Sequence, residues 1–386
     1  MSLVDRAKWN LFRRSLGLFL KNPNLAPNQA RAWYRTRFGM ARDRRNRDGW
    51  CAPPINISLN LTRRCNLRCL MCEQYRHSDG PPQGLSYYDP QNELPPETWV
   101  GLMDQVKPFH PQIYVTGGEP TLYGSVLDVL AAARERGLCL HLQTNGTRLS
   151  GLADDLVRLG LEQVTVSLDG PEEVNDRIRG IKGSFERSAD GIRALAEARR
   201  RLSRPGPLIA VNTVISKASL AGLHQMPAIA ASLGADIIQL QHTIFNSFDN
   251  LRRHNRILSP EFAAEAGLDL IAPSKPEGEC YESEITAGDL PLLRQNIETA
   301  RREAAGRIQL IFLPNLSGDK LDPYYLDLQH NFEPVCNSLW KSARILPDGV
   351  VAPCLHVITG NITEKKFFEI WNGARMRNFR KVVAKR

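Results

Sequence analysis

The stretch Cys65-Asn66-Leu67-Arg68-Cys69-Leu70-Met71-Cys72 places three thiols at a C-x3-C-x2-C spacing. It follows residues 55–62, whose apolar and polar side chains alternate as they do in a β-strand. Structural zinc sites and closed iron–sulfur sites usually take four protein ligands, so three thiolates leave one metal position open. The stretch therefore predicts a reactive metal site in a loop at the carboxyl end of a strand, where barrel enzymes keep their active sites.

Strand-like and helix-like patterns alternate downstream of this stretch. The predicted strands are 55–62, 112–117, 139–145, 163–168, 208–215 and 236–242. The predicted helices between them are 96–106, 124–136, 150–159, 185–201 and 219–233. Repeated strand–helix units indicate a parallel sheet with right-handed crossovers, and six strands are too few for a closed eight-stranded barrel.

Polar residues follow the ends of these strands. Thr116-Gly117-Gly118-Glu119-Pro120 ends the second strand, where two glycines let the backbone approach a ligand and a carboxylate can accept from an ammonium group. Later strand ends carry Gln143, Thr144, Asn145, Ser167, Asp169, Asn212, Thr213, Gln239 and Gln241. Because buried polar groups need partners, these residues predict a polar cofactor and substrate in the mouth of the barrel.

The cysteine triplet and the Gly-Gly-Glu-Pro motif resemble those of the radical S-adenosylmethionine superfamily, and the resemblance is strong over residues 55–245. It implies an α/β fold with an open, partial (β/α)6 TIM-type barrel. It also implies a 4Fe-4S cluster on Cys65, Cys69 and Cys72, whose fourth iron binds S-adenosyl-L-methionine. The expected contacts to that cofactor are Met71, Gly117, Gly118, Glu119, Thr144, Asn145, Ser167, Asp169, Arg179 and Asn212.

The resemblance implies specific roles for some of these residues. Gly117, Gly118 and Glu119 would hold the amino group of S-adenosylmethionine, and Met71 would pack near its adenine. Arg179 would hold the carboxylate, because a planar guanidinium matches a carboxylate. The competing interpretations are three buried structural thiols or an incomplete zinc knuckle, a simple Gly-Gly turn, and a surface arginine beside a capped helix.

The implied function is enzymatic. A reduced cluster would cleave S-adenosylmethionine to a 5′-deoxyadenosyl radical, which abstracts hydrogen from an unreactive carbon of a peptide or a small metabolite such as a sugar or nucleoside. The implied electron donor is of flavodoxin or ferredoxin type. The alternative is a non-catalytic iron–sulfur electron carrier or a regulatory module that binds S-adenosylmethionine. A carrier needs no open iron position, which favours the enzyme.

The C-terminal segment carries a second cysteine pattern. A helix near 290–305, a strand near 307–313, a hairpin at Asp348-Gly349 and a last helix over 366–381 are predicted, the hairpin as a type I′ turn. Cys336, Gly349 and Cys354 resemble the start of a SPASM or twitch domain, which holds auxiliary iron–sulfur clusters. No cysteine follows Cys354, and two thiols hold a cluster poorly. Whether Cys51, Cys280 or His356 completes such a site stays open, as does a vestigial hairpin with no cluster.

The charge excess of the chain lies at its N-terminus. The first 50 residues hold twelve basic and three acidic side chains, which accounts for the whole formal net charge of +9. Trp9, Phe12, Leu16 and Phe19 fall at helical spacing beside basic residues, and a second basic run spans residues 31–47. Three interpretations remain open: packing on the barrel, peripheral contact with an anionic membrane surface, or recruitment of an acidic partner. The pattern contains no base-reading motif, so no specific nucleic-acid partner is expected.

These observations predict four segments. They are a basic helical segment (1–50), the barrel (51–245), a linker or cover region with a helix and a strand (246–330) and a small SPASM/twitch-like α+β domain (331–386). The chain has eight cysteines, no pattern of a secretory signal and no membrane-spanning run. We therefore expect a reducing, cytoplasmic location, with peripheral membrane contact as the open alternative.

Overall fold

In the computed structural model, the barrel strands occupy the centre of a ten-stranded sheet. The structure describes residues 30–32, 34–72, 92–244, 252, 256, 259–270, 283–316, 318–327, 330, 336–354 and 357–384. Six parallel strands follow one another in chain order across the sheet. They are β1 Asn56–Asn60, β2 Gln112–Thr116, β3 Cys139–Thr144, β4 Gln163–Ser167, β5 Leu208–Ile215 and β6 Ile237–His242. The predicted partial (β/α)6 barrel is confirmed.

The sheet continues beyond these six strands at both edges. A short pair, β7 Asp269–Leu270 and β11 Val357–Ile358, stands apart from it. Strand β8, Gln309–Leu313, pairs in parallel with β6, and β9, Ser342–Ile345, pairs in parallel with β1. Antiparallel β10 Val350–Val351 and β12 Gly360–Asn361 complete the β9 edge. The sheet thus crosses the expected boundaries at 245 and 330, and the division into four segments stays a prediction.

Helices cover the outer face of the sheet. Their bounds are α1 Met40–Arg44, α2 Pro96–Val106, α3 Val126–Glu135, α4 Ala153–Leu159, α5 Glu172–Arg179, α6 Ser184–Arg201, α7 Met226–Ser232, α8 Pro260–Ala266, α9 Leu290–Ala304, α10 Leu321–Leu326, α11 Ser338–Lys341, α12 Phe367–Trp371 and α13 Ala374–Ala384. Helix α5 was not predicted from the sequence, and it is the helix that reaches the cysteine stretch. Residues 217–225 form a 3-10 helix ahead of α7 instead of the α-helix expected from residue 219.

Two C-terminal predictions were wrong in detail. The single helix expected over 366–381 is two helices, since α12 ends at Trp371 and α13 begins at Ala374. A side chain at Gly373, between them, would overlap the main-chain oxygen of Glu369. The hairpin at Asp348-Gly349 is present, and Gly349 has a φ of 84°. Asp348 is not in the left-handed region that a type I′ turn requires at both central residues, so the turn is of another type.

The two faces of the sheet differ in chemistry. The outward side chains of the strands, among them Ile57, Val115 and Leu142, are fully buried against the helices. The inward side chains are mostly polar, as the half-buried alternate residues of β1 and β2 show. A small apolar cluster closes the barrel interior near the amino ends of its strands and consists of Cys139, Leu208, Ala210 and Ile237, with Ile311 packed on it. The interior is therefore polar towards the carboxyl ends of the strands.

The described part of the N-terminal segment packs on the C-terminal helices. Arg35 pairs with buried Asp43 at 2.6 Å, and the main chain of Cys51 exchanges two hydrogen bonds with the Asn372 side chain. Arg380 is fully buried, donates to the Asn372 side chain and lies 4.3 Å from the centre of the Trp371 ring. This part of the segment thus contacts the C-terminal helices, and the three interpretations of the apolar stripe of residues 1–50 stay open.

Several predicted features lie outside the described residues. They are the helix with Trp9, Phe12, Leu16 and Phe19, and the cluster candidates Cys280 and His356. Within the described ranges, no helix has the length and apolar character needed to cross a bilayer.

Candidate active site

Residues 61–72, here called the cluster loop, leave β1 and are held first by the end of β2. The N–H of Gly118 donates to the oxygen of Thr62 at 2.7 Å, and that of Glu119 donates to the oxygen of Arg64 at 2.7 Å. Gly117 has a φ of 146°, and a side chain on either glycine would overlap main-chain oxygens of the loop. The two glycines thus allow two main-chain segments to touch at the entry to the cysteines.

The far side of the cluster loop is held by the end of α5. Arg68 N–H donates to the oxygen of Arg179 at 3.0 Å, and Leu70 N–H donates to that of Ile178 at 2.9 Å. Gly180 ends the helix with a φ of 71°, and a side chain there would overlap the Arg68 oxygen. The main chain therefore positions the three cysteines from both sides.

The three thiols are half-buried, and two of them face N–H donors. Asn145 Nδ2 lies 4.0 Å from Cys65 Sγ, and Arg179 Nη1 lies 3.7 Å from Cys69 Sγ. Burial raises the pKa of the Cys65 thiol to about 11, and burial also raises the pKa of Cys69 against the opposing effect of Arg179. Iron binds thiolates, so cluster assembly at Cys65, Cys69 and Cys72 releases protons, and the facing donors favour the charged sulfurs.

The cluster loop supplies three thiols, one fewer than the four protein ligands of a closed iron–sulfur cluster. In an iron–sulfur cluster each thiolate binds a different iron, so the sulfurs stand further apart than around one ion. Three thiols on one loop with N–H donors beside them therefore fit the expected 4Fe-4S cluster.

Glu119 is completely buried and makes four hydrogen bonds within the protein. Its Oε1 accepts from the hydroxyls of Thr121 and Thr144, both at 2.6 Å, and from Thr121 N–H at 3.2 Å. Its Oε2 accepts from Asn145 N–H at 2.6 Å. Burial raises the pKa of this carboxyl. Glu119 thus ties the end of β2 to the end of β3, and its contact with an ammonium group stays a prediction.

A closed ring of side-chain hydrogen bonds joins β3 to the cluster loop. Asn145 Nδ2 donates to Asn66 Oδ1 at 2.8 Å, Asn66 Nδ2 donates to Thr147 Oγ1 at 2.9 Å, and Thr147 Oγ1 donates to Asn145 Oδ1 at 2.7 Å. Asn66 and Thr147 were not predicted as site residues. The position of Asn66 inside the cysteine motif was the only signal in the sequence, because its partners are about 80 residues away.

Asp169 and Arg179 form a buried ion pair beside the cluster loop. Arg179 Nη2 lies 2.6 Å from Asp169 Oδ2, with side-chain exposures of 10% and 0%. Asp169 Oδ1 also accepts from Val214 N–H at 2.8 Å, and its own N–H donates to Asn175 at 3.0 Å. The structure thus brings both predicted residues together, with the guanidinium already paired.

The remaining predicted residues line the mouth of the barrel. Ser167 accepts from Gln143 Nε2 at 2.8 Å, and Gln143 accepts in turn from the Tyr114 hydroxyl at 3.0 Å. Asn212 is buried, and its Oδ1 has no hydrogen-bond partner among the described residues. A buried acceptor without a partner fits a site that takes a polar ligand. Met71 lies half-buried in the turn before Cys72.

The second cysteine pattern has no comparable surroundings. In the C-terminal hairpin, defined as residues 336–354, Cys336 is exposed and Cys354 is half-buried beside a single bridge to Val357. From residue 336 onward the sequence contains only these two cysteines. Two thiols are half of the four protein ligands that a closed four-iron cluster usually takes, and the candidates Cys280 and His356 lie outside the described residues.

Two family models match this chain. One, described as the radical SAM superfamily, matches residues 59–206, and the other, described as an iron–sulfur cluster-binding domain and named SPASM, matches residues 336–386. The first match contains the cluster loop, the Gly-Gly-Glu-Pro motif and the Asp169–Arg179 pair. The second contains the C-terminal hairpin.

Curated relatives and solved structures are similar over different lengths. The Fe-coproporphyrin III synthase of Methanosarcina barkeri is 38% identical over 34% of this chain, which spans 32% of that protein. The PqqA peptide cyclase of Ruegeria pomeroyi is 26% identical over 85% of this chain and 76% of its own length. Streptococcus suis SuiB bound to S-adenosylmethionine has a TM-score of 0.55 and 15% identity, and covers 82% of this chain and 65% of SuiB. At that identity the likeness to SuiB establishes the fold alone.

Proposed function

Because this chain belongs to the radical S-adenosylmethionine superfamily and ends in a SPASM domain, we propose that it is an enzyme that abstracts hydrogen from an unreactive carbon of its substrate. The observation that carries the proposal is the cluster loop, whose three thiols share one barrel mouth with N–H donors 3.7 and 4.0 Å from two of them. When bound, the 4Fe-4S cluster and S-adenosylmethionine supply a 5′-deoxyadenosyl radical. Cys65, Cys69 and Cys72 are the proposed cluster ligands.

The surrounding residues hold this site in shape and keep it apart from bulk water. Glu119 fixes the ends of β2 and β3, and the ring around Asn145 fixes the start of the cluster loop. Asn212 and Ser167 offer polar atoms at the barrel mouth for the cofactor or the substrate. The apolar cluster around Ile237 closes the other end of the interior. Such a wall restricts a reactive species to the substrate bound beside it.

The wall of the barrel interior supports a neutral, hydrogen-bonding substrate such as a peptide segment. The strand register puts amides and hydroxyls inward, among them Asn60, Gln143, Gln239 and Gln241. Of the inward side chains on the described strands of the main sheet, Arg344 alone is charged. We count Arg344 as inward because it stands opposite the inward residue Ser58 in the pairing of β9 with β1. A tetrapyrrole such as coproporphyrin carries several carboxylates, which need several cations. The interior therefore favours the substrate class named for the peptide cyclase over that named for the porphyrin enzyme.

The proposed setting is a reducing cytoplasm with an external electron donor of flavodoxin or ferredoxin type. An open cluster that takes up one electron needs such a donor, and an oxygen-sensitive cluster fits that compartment. The exposed loop residue Arg68 stands beside the cysteines, where an acidic donor protein could approach, whereas the neighbouring Arg64 is already paired with Glu93.

Peripheral contact with an anionic membrane is a further proposal for the N-terminal segment. Tyr34 and Phe38 are 63% and 51% exposed, and their rings are 5.4 Å apart on a segment rich in arginine. We expect the full chain to float with anionic vesicles and not with zwitterionic ones, and salt should weaken the binding. Changing Tyr34 and Phe38 to Ser should reduce flotation, whereas Leu292→Ser, at a residue 45% exposed, serves as the control. A full chain that does not bind anionic vesicles even at low salt would contradict the proposed membrane contact.

The test of the enzymatic proposal is anaerobic. The full chain is reconstituted with iron and sulfide, reduced with dithionite and incubated with S-adenosylmethionine, and 5′-deoxyadenosine and methionine are measured by chromatography. We expect both products from the wild type and neither from a Cys65→Ala/Cys69→Ala/Cys72→Ala variant. If the cluster is intact, its electron paramagnetic resonance spectrum does not change on addition of S-adenosylmethionine and no product forms, the result would instead support the non-catalytic carrier.

A further inference from the structure

Arg179 touches the cluster loop through both its main chain and its side chain. Its oxygen accepts from Arg68 N–H at 3.0 Å, while its Nη1 lies 3.7 Å from the sulfur of Cys69. The residue is only 8% exposed, so the positive charge acts on that sulfur with little screening by water. A substitution of the side chain leaves the main-chain bond to the loop in place.

Asp169 holds this guanidinium where it is. The carboxylate is fully buried, 2.6 Å from Arg179 Nη2, and is itself fixed by the N–H of Val214 on β5. Moving the arginine away would leave a buried carboxylate without its partner, which is strongly unfavourable. The pair is therefore a fixed element of the site rather than a mobile clamp.

We infer that the Arg179–Asp169 pair sets the reduction potential of the cluster held by Cys69 and its two companion thiols, an inference that rests on the proposed function. Reduction adds a negative charge to a cluster, so a guanidinium beside a ligand sulfur stabilises the reduced form and raises the potential. Hydrogen bonds and charges next to the sulfurs are known levers on cluster potential. Asp169 opposes this effect by partly neutralising the guanidinium.

The charge at each position predicts the direction of the shift. Arg179→Gln removes the positive charge and should lower the potential by about 59 mV, which is a tenfold change in the one-electron equilibrium. Asp169→Asn removes the opposing charge and should raise the potential. Arg179→Lys keeps the charge but loses the planar fork, so its potential should lie between those of the wild type and Arg179→Gln. Arg177→Gln, at an exposed residue of the same helix, should leave the potential unchanged.

The experiment is a redox titration of the reconstituted chain without S-adenosylmethionine, followed by the electron paramagnetic resonance signal of the reduced cluster. Affinity for S-adenosylmethionine is measured separately on the same proteins. Arg179 Nε has no partner among the described residues, so binding of the cofactor carboxylate is the competing role. Equal potentials in all variants, with weaker cofactor binding in Arg179→Gln, would overturn the inference in favour of that role.

Two other outcomes distinguish a failure of the proposed function from a failure of this inference. A wild type that takes up no cluster contradicts the proposed function itself. If Arg179→Gln does not assemble a cluster, the other two variants still test the inference, because the reduction potential should fall in Arg179→Lys and rise in Asp169→Asn. Unchanged potentials in both variants would reject the inference.

Discussion

The cluster loop and the C-terminal hairpin are both joined to β1, the first by following it and the second by pairing with it, and they differ in how far they expose their first cysteine. The cluster loop follows β1, accepts main-chain hydrogen bonds from Gly118 and Glu119 after β2, and donates one to Arg179. The hairpin pairs with β1 through β9, yet Cys336 at its start is exposed. The difference teaches that a cluster site depends on the main-chain anchors and N–H donors around the cysteines as much as on their number.

Removing the cysteines should separate the two regions most strongly. The Cys65→Ala/Cys69→Ala/Cys72→Ala variant should lose nearly all iron and acid-labile sulfide, because no thiolates remain to bind the cluster. A Cys336→Ser/Cys354→Ser variant should keep wild-type iron, sulfide and cleavage of S-adenosylmethionine. If the triple variant instead retains iron that is lost when the two C-terminal cysteines are also changed, that result would establish a second cluster and contradict the difference between the two regions.

The anchors of the cluster loop can be tested without touching a cysteine. A side chain at Gly118 would overlap the main-chain oxygens of Arg63 and Arg64 and shift the entry to the loop. Gly118→Ala should therefore slow cleavage of S-adenosylmethionine about 10²-fold, as small displacements of reacting groups can. Gly101→Ala in α2 meets nothing within 4 Å and should stabilise the chain by about 1 kcal/mol without slowing the reaction. Equal rates in both variants would show that the anchor is dispensable.

The contact between the N-terminal segment and the C-terminal helices should respond to changes in packing and not in iron. Buried Asp43 accepts from Ala52 N–H at 3.1 Å and pairs with Arg35, so Asp43→Asn turns an acceptor into a donor among donors. We expect a loss of about 1–3 kcal/mol in the free energy of unfolding, measured with urea, and unchanged iron content. Iron lost in proportion to stability would instead link this contact to the cluster.

The smallest expected effect concerns the reactivity of the remaining thiols. Burial raises the pKa of the Cys51 thiol to about 12 from the usual 9.0, whereas Cys336 is exposed. In the iron-free chain at pH 8, iodoacetamide followed by peptide mass spectrometry should label Cys336 first and leave Cys51 unmodified, since the thiolate is the nucleophile. Because the folded pKa is the higher one, the stability that the neutral thiol supplies is lost as the pH rises from about 9 towards 12. Early labelling of Cys51 at pH 8 would show that the contact with the C-terminal helices opens readily.

The sequence predicted the elements and the chemistry of the barrel well, for local reasons. The alternation of residues 55–62 and the five later strands depends on a period of two, which adjacent residues display by themselves. The cysteine spacing and the Gly-Gly-Glu-Pro motif are equally local. Helix α5 was missed because it is short and strongly charged, with only two apolar residues among Glu172–Arg179, and the break at Gly373 was missed because the pattern on either side of it is helical.

The sequence by itself determined the parallel α/β barrel, the three-thiol stretch and the set of polar residues at the strand ends. Only the tertiary structure decided that β8 and β9 extend the barrel sheet and that the carboxylate of Glu119 accepts hydrogen bonds from residues at the ends of β2 and β3. It also decided that Arg179 pairs with Asp169 beside Cys69. The physical reason is the range of the interactions involved. Periodicity and spacing operate over a few residues, whereas strand pairing and buried ion pairs join residues far apart in the chain, whose partners are chosen only when the whole sheet is assembled.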